Sequence, residues 1–120
     1  MIHKILIADD EPGALATVGA LLRERGYTVW TAGDGREAIQ KAVDNQPELI
    51  ILDIMMPLMD GTEVAMILRN DMRTKDIPVF FLTAVLSPED EPLVKDNPNP
   101  IFAKPVKLYE LLEAIKQIGV

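Results

Sequence analysis

The chain has 120 residues, about half of them apolar, and a net charge of −7, which is enough for one domain with one core. The lack of cysteine excludes disulfides, thiolate catalysis and Cys-ligated zinc. The acidic balance, with no Lys/Arg cluster, argues against nucleic acid or an anionic membrane as a direct partner. No apolar run is long enough to cross a bilayer, and the opening MIHKILIADD has no signal-peptide layout. A single cytoplasmic domain over residues 1–120 is therefore expected.

Residues 5–8 (ILIA) predict a buried strand that stops at Asp9-Asp10-Glu11. A helix follows to Arg25, with Leu15, Val18 and Leu22 on one face, and Gly26 ends it. Residues 27–32 are β-prone but mix Thr28 and Thr31 with apolar neighbours, as an edge strand does. Asp34 and Glu37 sit at the N-cap and N3 positions of a second helix, whose apolar stripe is Ala38, Ile39, Ala42 and Val43. Residues 49–52 (LIIL) run into Asp53 and predict a strand buried on both faces. Pro57 breaks the pattern, and Asp60 and Glu63 then cap a third helix with Val64, Ile67 and Leu68 as its apolar face. A fourth strand spans residues 79–82 and ends at Thr83-Ala84. The segment from Ser87 to Pro100 is rich in proline, so the fourth helix is expected to be short and irregular, with little more than one turn between Pro92 and Asp96. Residues 101–103 form a short fifth strand ending at Lys104-Pro105. A last helix carries Leu108, Leu111, Leu112, Ile115 and Ile118 on one face.

Strands and helices alternate five times, which implies a doubly wound, five-stranded parallel sheet of the flavodoxin-like α/β class. The three most apolar strands belong in the middle and the other two at the edges. With short connections the order is 2-1-3-4-5, and its switch point lies between strands one and three. Asp9-Asp10 and Asp53 end those two strands and meet in one crevice. Three carboxylates there repel one another by about 4 kcal/mol per pair at ~4 Å and an effective dielectric of ~20. Protonation, a lysine or a metal must offset this, and a site of hard oxygen donors suits Mg²⁺. Lys104 and Thr83, at the ends of strands five and four, are placed to reach the same mouth. An acidic metal site with a carboxylate, a hydroxyl and an ammonium suits phosphoryl transfer.

With these pieces in order, each at a strand end, the chain resembles a response-regulator receiver domain, the phosphoacceptor module of two-component signalling. The resemblance rests on Asp9-Asp10, the DIMMPLMDG stretch around Asp53, Thr83-Ala84 and Lys104-Pro105. It implies that Asp53 accepts a phosphoryl group from a histidine kinase or histidine phosphotransfer protein, which switches binding to a downstream protein target. It also implies that Asp10, Asp53 and the main-chain carbonyl of Met55 bind Mg²⁺, with Asp9 assisting through water. Thr83 and Lys104 would contact the phosphoryl oxygens, and the Lys104–Pro105 bond would be cis. On this reading the domain is not an enzyme, and apolar Met55 and Val85 slow its self-dephosphorylation.

Each residue also has a plainer reading. Asp10 could cap the first helix, Thr83 could be an ordinary strand threonine, and Lys104 a solvated lysine. Their joint placement favours the site. His3 has no partner pattern, and Trp30 reads as edge-strand packing. Two rival functions remain: a phosphorylation-independent interaction module, and a haloacid-dehalogenase-type phosphatase. The phosphatase family carries an acid two residues after its nucleophile, where this chain has Met55. The receiver family usually has an aromatic switch residue three positions before the lysine, where this chain has Ile101, with Phe102 expected on the opposite face of the strand. The sequence ends after the last helix, so a stand-alone or excised receiver without an output domain is expected. A dinucleotide-binding reading fails because DDEPGA lacks the glycine fingerprint.

Overall fold

A computed structural model describes residues 2–84 and 99–119. Its elements are β1 (Lys4–Ala8), α1 (Pro12–Glu24), β2 (Thr28–Ala32), α2 (Gly35–Asn45), β3 (Leu49–Asp53), α3 (Gly61–Arg69), β4 (Val79–Thr83), β5 (Ile101–Ala103) and α4 (Leu108–Ile118). The five strands form one sheet in the order β2-β1-β3-β4-β5, with every pairing parallel. The fold class and strand order match the sequence expectation. The short helix expected between β4 and β5 falls on residues 85–98 and lies outside the described residues.

Strand alternation divides the core. Leu6, Ile50, Leu52 and Phe81 face one side of the sheet, packed with Ala38 and Ala42 of α2 and Val64, Ala65 and Leu68 of α3. Ile5, Ile7, Leu49, Ile51, Phe80 and Leu82 face the other side, with Leu22 of α1 and Leu111, Leu112 and Ile115 of α4. All five residues of β3 are buried, and each of its four large apolar side chains, Leu49 to Leu52, contributes roughly 1.5–3 kcal/mol by leaving water. This is why an unbroken apolar run, and not an alternating one, occupies the centre of the sheet. The chain moves one way along the sheet from β1 to β2 and the other way from β1 to β3, β4 and β5. Right-handed crossovers then put α1 and α2 on opposite faces. The switch point this creates lies between β1 and β3, beyond their C-terminal ends.

Local signals behave largely as expected. The Asp34 carboxylate accepts from the Glu37 N–H at 2.8 Å, and the Asp60 carboxylate from the Glu63 N–H at 3.0 Å. In α2 the returning bond of the capping box is displaced by one residue: the Gly33 N–H, not that of Asp34, donates to Glu37 Oε1. The apolar face of α3 needs correction. Val64 and Leu68 are buried, but Ile67 is 41% exposed and Ala65 takes its place in the core. At 100° per residue, positions 61, 64, 65 and 68 share the stripe, and 67 falls at its margin. On β5, Phe102 points inward and packs against Phe80 with the ring centroids 5.6 Å apart and the planes tilted by 50°, while Ile101 faces out, as alternation requires.

Candidate functional site

The acidic crevice is assembled from strand ends. In the β1–β3 register Ala8 pairs with Leu52, so the next residues, Asp9 and Asp53, lie side by side. Both are buried, at 2% and 1% exposure, while Asp10 is exposed. Carboxylate oxygens of Asp9, Asp10 and Asp53 all lie within 4.8 Å of one another. Asp10 does not cap α1. The N-cap position falls to Glu11, which makes no side-chain capping bond, and the Glu11 N–H donates instead to Asp9 Oδ1 at 3.0 Å.

Lys104 closes the crevice from β5. Its Nζ lies 2.9 Å from Asp9 Oδ2, 3.0 Å from Asp53 Oδ2 and 3.5 Å from Glu11 Oε1. Its backbone N–H donates to the Thr83 carbonyl at 3.0 Å, which ties the ends of β5 and β4 together. The Lys104–Pro105 bond is cis. The other Asp53 oxygen, Oδ1, accepts from the Met55 N–H at 3.1 Å. The β3–α3 loop therefore holds one side of the carboxylate and β5 the other. Met55 is 57% exposed. A cavity of about 530 Å³ opens beside Lys104, between Ala14 and Thr17 of α1 and Pro105-Val106.

Electrostatics follow from this packing. Burial pushes the Asp53 carboxyl up to about 6 from an ordinary 3.8; the Lys104 hydrogen bond draws it back, and the neighbouring Asp9 charge adds to the rise. Burial opposes the charge on Lys104, but the hydrogen bonds and charges of Asp9 and Asp53 outweigh it and raise its pKa above the ordinary lysine value. Of the three means of offsetting the carboxylate repulsion, the lysine is the one built into the fold.

The structure thus brings together Asp9, Asp10, Asp53 and Lys104, sets Met55 in the turn that follows, and puts Thr83 at the adjoining strand end. Sequence reasoning left Glu11 without a role, although its place in the Asp-Asp-Glu run was the available signal. Val85, also named from sequence, lies outside the described residues.

The doubly wound parallel sheet and the lysine-bridged acid cluster at its switch point match the receiver-domain arrangement expected from the sequence. The family model for the response regulator receiver domain matches residues 5–116, and the chain belongs to that family. Among curated relatives it is 39% identical to the DNA-binding dual master transcriptional regulator RpaA of Synechocystis over 116 residues, which is 96% of this chain and 48% of that protein. It is 36% identical to the transcriptional regulatory protein PrrA of Mycobacterium tuberculosis, covering 96% of this chain and 49% of that one. The chain therefore spans about half the length of these relatives. Among solved structures, the chemotaxis protein CheY4 of Vibrio cholerae superposes with a TM-score of 0.88 at 33% identity, covering 98% of this chain and 99% of that one. The signal receiver domain of a histidine kinase from Syntrophus aciditrophicus gives 0.86 at 31% identity, over 97% of this chain and 89% of that one. Among the described residues no helix is long and apolar enough to cross a membrane.

Proposed function

We propose that residues 1–120 form one receiver domain in which Asp53 accepts a phosphoryl group from a phosphohistidine on a kinase or phosphotransfer protein. The observation that carries this reading is the state of Asp53. Its carboxylate is almost fully buried at the end of the central strand, and it is gripped by the Met55 N–H on one oxygen and the Lys104 ammonium on the other. An Asp53 oxygen attacks phosphorus, the O–P bond forms as the N–P bond of the donor breaks, and the imidazole leaves with the electron pair. Burial holds the carboxyl near 6, so it is mostly ionised, and hence nucleophilic, at neutral pH.

The donor set fits Mg²⁺. Three carboxylates with oxygens within 4.8 Å are hard ligands, one of them exposed, and Mg²⁺ takes one or two carboxylates while keeping waters. Asp10, Asp53 and the Met55 carbonyl would hold the ion, with Asp9 acting through water. When bound, the ion neutralises charge on the phosphoryl oxygens. Lys104, already within 3.0 Å of the Asp53 oxygen, pairs with a phosphoryl oxygen once that carboxylate is esterified. The Thr83 hydroxyl donates a hydrogen bond to another. The phosphorylated form then changes affinity for a downstream protein in the cytoplasm, and self-dephosphorylation is slow.

Incubation with acetyl phosphate and Mg²⁺ should add one phosphoryl mass to the wild type and none to Asp53→Asn. Stoichiometric labelling of the variant at another residue would sink the assignment. A phosphorylation-independent interaction module is the second reading, favoured by the outward-facing Ile101 at the switch position. Failure of beryllofluoride to bind in the presence of Mg²⁺ would favour it.

A further inference from the structure

Gly61 begins α3, and its N–H donates to the Ile54 carbonyl at 3.0 Å. A Cβ at this position would stand 2.4 Å from the Asp53 carbonyl oxygen, 3.0 Å from the Asp53 carbonyl carbon and 3.0 Å from the Ile54 Cα. All three are backbone atoms, so no flexible side chain can yield. The backbone at Gly61 has no left-handed φ that would call for glycine; among the described glycines only Gly26 does. Glycine is also a poorer helix former than alanine. Its physical justification here is the close approach of the helix to the peptide that carries Asp53.

Neither partner can retreat without loss. Val64, Ala65 and Leu68 anchor α3 in the core. The strand is held because the Ile54 N–H donates to the Leu82 carbonyl at 2.9 Å. We propose that Gly61 is a positioning residue for the phosphoacceptor site: by lacking a side chain it lets the first turn of α3 set the depth and orientation of the Asp53–Met55 backbone. Resting as it does on the reading of Asp53 given above, the proposal extends it to a residue that touches neither metal nor phosphoryl group. A methyl group at position 61 bears on the Asp53 carbonyl, and the displacement passes to the Asp53 carboxylate and the Met55 peptide, which are bonded to each other at 3.1 Å.

The test compares Gly61→Ala with two controls. Gly33→Ala adds a methyl where nothing lies within 4 Å. Leu68→Ala weakens α3 packing two turns further along the helix. Mg²⁺ affinity by calorimetry and the initial rate of phosphorylation by acetyl phosphate are measured in trimethylamine N-oxide, which favours the folded chain. Gly61→Ala should lose roughly 10- to 100-fold in Mg²⁺ affinity, the range seen when a group that orients a metal ligand is lost, and both controls should keep the wild-type value. Wild-type affinity in folded Gly61→Ala overturns the proposal, and so does an equal loss in Leu68→Ala. A Gly61→Ala chain that stays unfolded in the osmolyte also overturns it, in favour of a purely structural role. If the wild type itself binds no Mg²⁺ and takes no phosphoryl group, the functional reading fails separately. The metal-free amide resonances of Ile54 and Met55 then decide: displacement in Gly61→Ala but not in Leu68→Ala supports the positioning role, and unchanged resonances overturn it.

Discussion

Lys104 holds together two buried carboxylates, Asp9 and Asp53, that would otherwise repel each other. Removing one partner of a buried charge set leaves the others uncompensated, at a cost of about 3–5 kcal/mol. Lys104→Ala is therefore expected to destabilise the metal-free protein by that order in urea unfolding, with part of the loss recovered on adding Mg²⁺. Asp53 makes a separate contribution. Its folded pKa of about 6 exceeds the unfolded 3.8, so between these values the folded chain binds the proton that the unfolded chain has released. Stability due to this group is thus highest below about 4 and is lost as pH rises through about 6. Asp53→Asn lacks the titration. In a metal chelator, its unfolding free energy should gain on that of the wild type over this window, by at most about 3 kcal/mol. A difference that stays flat with pH would show that the carboxyl is not raised.

At the scale of the element, the β3–α3 loop is tied down at both ends. It places the Met55 N–H on Asp53 and closes through the Gly61 N–H on Ile54. Between these, Leu58 adopts a left-handed φ of 69° with its side chain fully exposed. A non-glycine residue pays roughly 1–2 kcal/mol there, and this leucine has no burial to set against it. Leu58→Gly relieves the strain but gives the unfolded chain more freedom, which takes back about 0.5–1 kcal/mol. A net gain of several tenths to about 1 kcal/mol is expected in urea unfolding. The capping residues Asp34 and Asp60 were legible because capping is local chemistry over four residues. The exposure of Ile67 was not, because a helix only nine residues long leaves its margin to be settled by what packs against it.

For the whole molecule, site and fold are one event. The groups of the crevice come from the ends of β1, β3 and β5, and Lys104 and Asp53 are 51 residues apart in sequence. An unfolded chain cannot bring them together, so any ion held there binds the folded state alone. Mg²⁺ at 100 times its dissociation constant should then raise the unfolding free energy by about 2.7 kcal/mol. Asp10→Ala should shift this gain to higher Mg²⁺ concentration, since it removes a charged ligand. Because Asp10 lies within 4.8 Å of two other carboxylates and outside the Lys104 bridge, its removal relieves like-charge repulsion, and the metal-free stability of this variant should equal or exceed that of the wild type. A stability gain from Mg²⁺ that is unchanged in Asp10→Ala would remove Asp10 from the ligand set.

The sequence by itself determined the order of the elements, the central place of the unbroken apolar strands and the arrival of Asp9, Asp10, Asp53, Thr83 and Lys104 at strand ends on one edge of the sheet. Those features follow from apolar periodicity and chain direction, which are written locally. Tertiary structure alone decided that Asp9 is buried while its neighbour Asp10 is exposed, and that Lys104 bridges Asp9 and Asp53. It alone brought the first turn of α3 against the Asp53 carbonyl. These depend on strand register and on distances of a few ångströms between segments far apart in the chain, and no pattern within a single segment encodes them.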